Sequence, residues 1–76
     1  MPTIRELRLK RGLSREALAV SAGVGTQTVM RAEKGAGIRK ASALAICRAL
    51  DVSLEQVSGL VTFSAVNAAE NRRRAQ

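Results

Sequence analysis

Histidine, tryptophan and tyrosine are missing from this 76-residue chain, and cysteine, proline and phenylalanine occur once each. Without histidine, a serine or cysteine nucleophile lacks its usual base, and a Cys/His zinc site is excluded. The six acidic residues are scattered along the chain. They offer no catalytic pair and no metal site, so a non-enzymatic protein without a cofactor is expected. Cys47 alone forbids an intrachain disulfide. Lying between Ile46 and Arg48 in an apolar helical stretch, it reads as a small core residue rather than a reactive thiol. No apolar run approaches the roughly twenty residues that span a bilayer, and Met1 to Glu6 lacks the apolar region of a secretion signal. A cytoplasmic protein without a membrane partner is expected. Phe63 is the one aromatic, so the core must come from Leu, Ile, Val and Ala. Closely packed helices suit that supply. Alternating β-branched runs do not occur, and an all-α class follows.

Positive charge is what the chain has in excess. Thirteen Lys and Arg against six Asp and Glu give a formal charge of +7. On so short a chain, which has room for one small core, this points to a polyanionic partner, above all nucleic acid. A membrane surface fits less well, because no broad apolar stripe with aromatic anchors lies opposite the basic residues.

Caps and glycines divide the chain into short helices. Thr3 with Glu6 is a capping-box pattern before a first helix over about 4–11, with Ile4, Leu7 and Arg8 on one face and Gly12 placed to end it. Ser14 can cap a second helix over 15–22, buried through Leu18, Ala19 and Ala22 and stopped by Gly23. A third over 26–34 turns Val29 and Ala32 inward and Gln27 and Arg31 outward, the latter two at i and i+4. After Gly35 and Gly37 comes a fourth, about 39–50, with Leu44, Cys47 and Leu50 as its apolar stripe. Ser53 with Gln56 opens a fifth, running to about Gly59.

Two helices joined across Gly23 must cross steeply. Ala19 lets them approach, and Val24 and Val29 lock the angle. From Ile4 to Leu60 the sequence resembles the Cro/C1-type helix-turn-helix family of phage and bacterial repressors. The resemblance rests on Leu7, Arg8, Gly12, Leu13, Ser14, Glu16, Leu18, Ala19, Ala22, Gly23, Val24, Thr28 and Val29, then Glu33, Gly35, Ala49, Leu50, Val52, Ser53 and Leu54. It implies an all-α, compact five-helix, lambda-repressor-like DNA-binding domain over 1–62. A basic C-terminal tail, helical or disordered, would occupy 63–76. The implied activity is sequence-specific binding of double-stranded DNA by a small transcriptional repressor, with helix 26–34 in the major groove.

The resemblance also assigns roles. Thr26 and Gln27 would face base edges at the start of the recognition helix, with Arg31 one turn later and Met30 beside a thymine methyl. Ser14, Arg15, Thr28, Arg39 and Lys40 would contact phosphates. Arg8 and Glu33 would form a partly buried, structural salt bridge. Departures from the family pattern are Arg15 for a Gln that bridges to the recognition helix, Gly25 for a capping Ser or Thr, and Ala32 for a larger apolar residue. Lys40 stands where Leu is common, its space left to Ile38, and Asp51 where Gly would relieve a left-handed backbone. Such domains read few base pairs alone, so a homodimer is expected, with Val57, Leu60, Val61 and Phe63 either its contact patch or a lid on the protomer's own core. The run Arg72 to Arg74 reads as a solvated tail. The competing reading is an antitoxin-like module that binds a partner protein, with DNA binding secondary.

Overall fold

Local signals set the helix bounds. In the computed structural model, which describes residues 1–63, Thr3 is extended and its hydroxyl oxygen accepts from the Glu6 N–H at 3.2 Å, opening α1 (Ile4–Lys10). Ser14 likewise accepts from the Ala17 N–H at 3.0 Å and opens α2 (Arg15–Ala22). Gly23 then takes a φ of 72°, a left-handed conformation that strains any residue with a Cβ. This reverses the chain just ahead of α3 (Thr26–Lys34), which begins after Gly25 with no side-chain cap. The next helix is α4 (Lys40–Ala49), followed by a 3₁₀ turn, Leu54–Gln56. Between them Asp51 carries a φ of 57°, the strained position that the sequence led us to expect.

The helical count and class need correction. The described residues form four α-helices, and the expected fifth is only the 3₁₀ turn. The Gln56 side-chain oxygen does accept from the Ser53 N–H at 2.8 Å. Val57, however, is already extended, with φ −112° and ψ 131°, and Gly59 is left-handed, so the turn cannot propagate. Nor are the described residues wholly helical. Two short strands, β1 (Ile38–Arg39) and β2 (Thr62–Phe63), pair in parallel with Ile38 opposite Thr62 and Arg39 opposite Phe63. The Ile38 N–H donates to the Val61 carbonyl at 3.1 Å, extending this tie. Residues 64 to 76, including the Arg72 to Arg74 run, lie outside the described residues.

The core collects Ile4, Leu18, Ala19, Val29, Ala32, Ile38, Ala43, Ile46 and Leu50. Its helix faces match the sequence reading for α2 and α3, and for α4 at Cys47 and Leu50 but not at Leu44. There the buried stripe is Ala43, Ile46, Cys47 and Leu50, and Leu44 is 40% exposed. A helix rich in apolar residues has several candidate stripes. The one chosen runs i, i+3, i+4 and i+7 from Ala43, and Leu44 is turned about 100° from its start. Ile38 is buried while Lys40 is exposed, so Ile38 supplies apolar bulk beside the charged residue. Val57 and Leu60 pack against this core, whereas Val61 and Phe63 remain 50% and 41% exposed. Near the start of the chain, the Pro2 carbonyl accepts from the Ser58 N–H at 2.8 Å.

Candidate nucleic-acid interface

The outer face of α3 follows from its inner one. Burying Val29 and Ala32 forces Gln27 and Arg31 to the surface, where both are exposed; Thr26, Thr28 and Met30 are half-buried. Gln27, Met30 and Arg31 line one shallow depression with Lys34. On the other side of Arg31, an open cleft of about 410 Å³ runs between α3 and the start of α4, lined by Gln27, Thr28, Arg31, Gly37, Arg39 and Ser42 together with Phe63. Four of the nine residues expected at DNA, Gln27, Thr28, Arg31 and Arg39, thus share one cleft.

Arg31 is anchored. One of its terminal nitrogens, Nη2, donates to the Gly37 carbonyl at 3.1 Å. A guanidinium has five N–H donors, so this bond leaves the others for a partner.

The expected phosphate contacts are dispersed. Ser14 is exposed, but its hydroxyl already caps α2. Arg39 is exposed at the entry to α4 and borders the α3 cleft. Lys40, one residue on, instead lines a groove with Leu44, Cys47, Arg48 and the Val52 to Glu55 segment. The structure does not bring Lys40 to the α3 cleft.

Beneath α3, Glu33 joins the first two helices to the third. Arg8 Nε donates to Glu33 Oε2 at 2.7 Å and its Nη1 to the Leu13 carbonyl at 2.8 Å. The Arg8 and Glu33 side chains are only 9% and 5% exposed. Arg15 Nε donates to Glu33 Oε1 at 3.2 Å from the opposite side, its side chain 46% exposed. The substitution expected to remove a bridge to the recognition helix therefore provides a different one, an ion pair. Burial raises the Glu33 pKa, but the hydrogen bonds and positive charge of Arg8 and Arg15 outweigh it and hold the carboxyl below its ordinary value of 4.5. Burial also raises the Cys47 thiol, as suits a core residue.

Besides the buried Ile38, three residues that line the cleft escaped the sequence reading. Ser42 carried a usable signal, since it lies at i+3 from Arg39 on the first turn of α4. Gly37 and Phe63 carried none, because a pairing two residues long has no period to detect.

A helix-turn-helix family model matches residues 4–57, more than half of the chain. Comparison with curated proteins and with solved structures returned no match.

Proposed function

Because the chain belongs to the Cro/C1-type helix-turn-helix family of DNA-binding domains, we propose that it is a sequence-specific repressor that reads double-stranded DNA with α3 in the major groove. The observation that carries this is the α3 cleft. It gathers an amide, a hydroxyl and a guanidinium from Gln27, Thr28 and Arg31 of α3 with a second guanidinium from Arg39 at the entry to α4. Gln27 suits adenine and Arg31 suits guanine, each through paired hydrogen bonds in the major groove. Met30, which shares a depression with Gln27 and Arg31, and Thr26 on the same flank of the helix would complete the reading surface. Arg39, Lys40, Arg15 and the amino end of α2 at Ser14 supply sequence-independent contacts to phosphate.

Two copies on half-sites about one helical turn apart would give the site length that one module lacks. Val57 and Leu60 serve the protomer's own core, so a dimer contact in this region draws on the exposed Val61 and Phe63. A cytoplasmic, nucleoid-associated location goes with this activity. Among the described residues no helix is long and apolar enough to cross a membrane.

Selection of random duplex DNA, sequenced after binding at two salt concentrations, tests the proposal. Enrichment of two related half-sites is the expected result. Salt-sensitive binding with no enriched sequence would overturn it and direct attention to a partner protein.

A further inference from the structure

Phe63 lies far from α3 in sequence and beside it in space. Its ring rests on Gly37: a Cβ placed there would come within 3.3 Å of Cδ1 and 3.6 Å of Cε1. At that distance a methyl group at position 37 would require the ring to give way by a few tenths of an ångström. The next residue, Ile38, is held by the parallel pairing with Thr62 and by its bond to the Val61 carbonyl. Gly37 is therefore fixed from two directions by the same C-terminal strand. Its carbonyl is the acceptor that holds Arg31 at 3.1 Å.

A guanidinium on a mobile stem offers positive charge to any sequence. One held at a single nitrogen presents its remaining donors in a limited set of directions, and a planar fork so oriented loses less freedom on meeting the paired acceptors of guanine. Discrimination then comes from geometry rather than charge. We infer that Phe63, acting through Gly37, is a positioning residue that sets the base specificity of Arg31. This rests on the reading of DNA by α3 proposed above and assigns β2 a part in it.

The test has one arm without DNA and one with it, both on the full chain. In the first, nitrogen-15 spectra follow the side-chain signals of Arg31. Restricted guanidinium rotation in the parent protein and averaging in Phe63→Ala are expected. Unchanged rotation in Phe63→Ala would overturn the inference whatever DNA the protein binds. In the second, random-duplex selection compares the parent with Phe63→Ala, Gly37→Ala, Arg31→Ala and the double variant Phe63→Ala/Arg31→Ala. Phe63→Ala should lower preference by about tenfold at the base position that Arg31→Ala erases, the scale set by one good bidentate contact. Any loss of dimer contact in Phe63→Ala would weaken all sequences alike, so the readout is the change at the Arg31 position relative to the other positions of the site.

Gly37→Ala, which asks the ring to shift by a few tenths of an ångström, should lower preference at the same position by less than Phe63→Ala does, and Phe63→Leu should restore part of it. In the Arg31→Ala background, Phe63→Ala should add nothing there. Uniform weakening at all positions would assign Phe63 to folding or dimerisation instead and overturn the inference. An unchanged profile in Phe63→Ala, with the parent still enriching a site, overturns it alone. A parent protein that enriches no sequence overturns both the DNA reading and the specificity role.

Discussion

Glu33 is the residue on which the motif's geometry most depends, since it accepts from α1 and α2 while standing on α3. Glu33→Gln should destabilise the domain by about 3 kcal/mol, because it leaves the guanidinium of Arg8 buried without its counter-charge. Arg15→Ala should cost far less, since that side chain is nearly half exposed and solvent screens the pair. The pH dependence has a definite sign. The folded-state pKa of Glu33 is depressed, so its contribution is present above the ordinary value of 4.5 and is lost as pH falls through the lower folded value. Urea unfolding between pH 7 and pH 3 should therefore show a shallower acid loss in Glu33→Gln than in the parent. Asp51 offers a gain in the other direction. At a φ of 57°, Asp51→Gly should raise stability by about 0.5 kcal/mol, visible as a higher urea midpoint with unchanged slope.

Helix starts and stops were legible where a single residue decides them. Ser14 and Thr3 cap through their own hydroxyls, and Gly23 adopts the one conformation that its neighbours avoid. Elements decided by long-range pairing were not legible. The strands β1 and β2 exist because residues 38–39 and 62–63 meet, and neither stretch alone is long enough to show a strand's period. The same limit hid the anchoring of Arg31 by Gly37 and the second ion pair of Glu33, which are visible only once the chain is folded. For α4, apolar residues on several faces made Leu44 the expected start of the buried stripe, where Ala43 in fact stands. The uncapped start of α3 yields a prediction at this scale. Gly25 is extended, and a Cβ there would meet nothing nearer than the Thr28 hydroxyl at 4.0 Å, so a cap fits. Gly25→Ser should stabilise the protein by about 0.3 kcal/mol. Gly25→Asp should do so comparably yet weaken DNA binding at low salt, because its carboxylate would stand at the edge of the reading helix.

For the molecule as a whole, the excess of basic residues supplies the phosphate contacts, and their number sets how strongly DNA affinity should depend on salt. Each phosphate neutralised contributes about 0.9 to the slope of log affinity against log salt. Arg39→Ala should therefore reduce that slope by about one and weaken all sequences alike, in contrast to the position-specific loss in Arg31→Ala. Titrations of one duplex across a salt series distinguish the two.

The bond from Ser58 to the Pro2 carbonyl also bears on how the protein is made. A residue beside the first helix receives its partner only after more than fifty further residues have been joined to the chain. β2, which closes on residues 38–39, is added later still. During synthesis, then, α3 is translated well before the segments that complete its surroundings. The emerging chain should carry a basic, uncommitted helical hairpin until Phe63 clears the ribosome. A nascent chain halted near residue 50 should accordingly be cut readily by protease, and one halted far enough downstream to release Phe63 should resist.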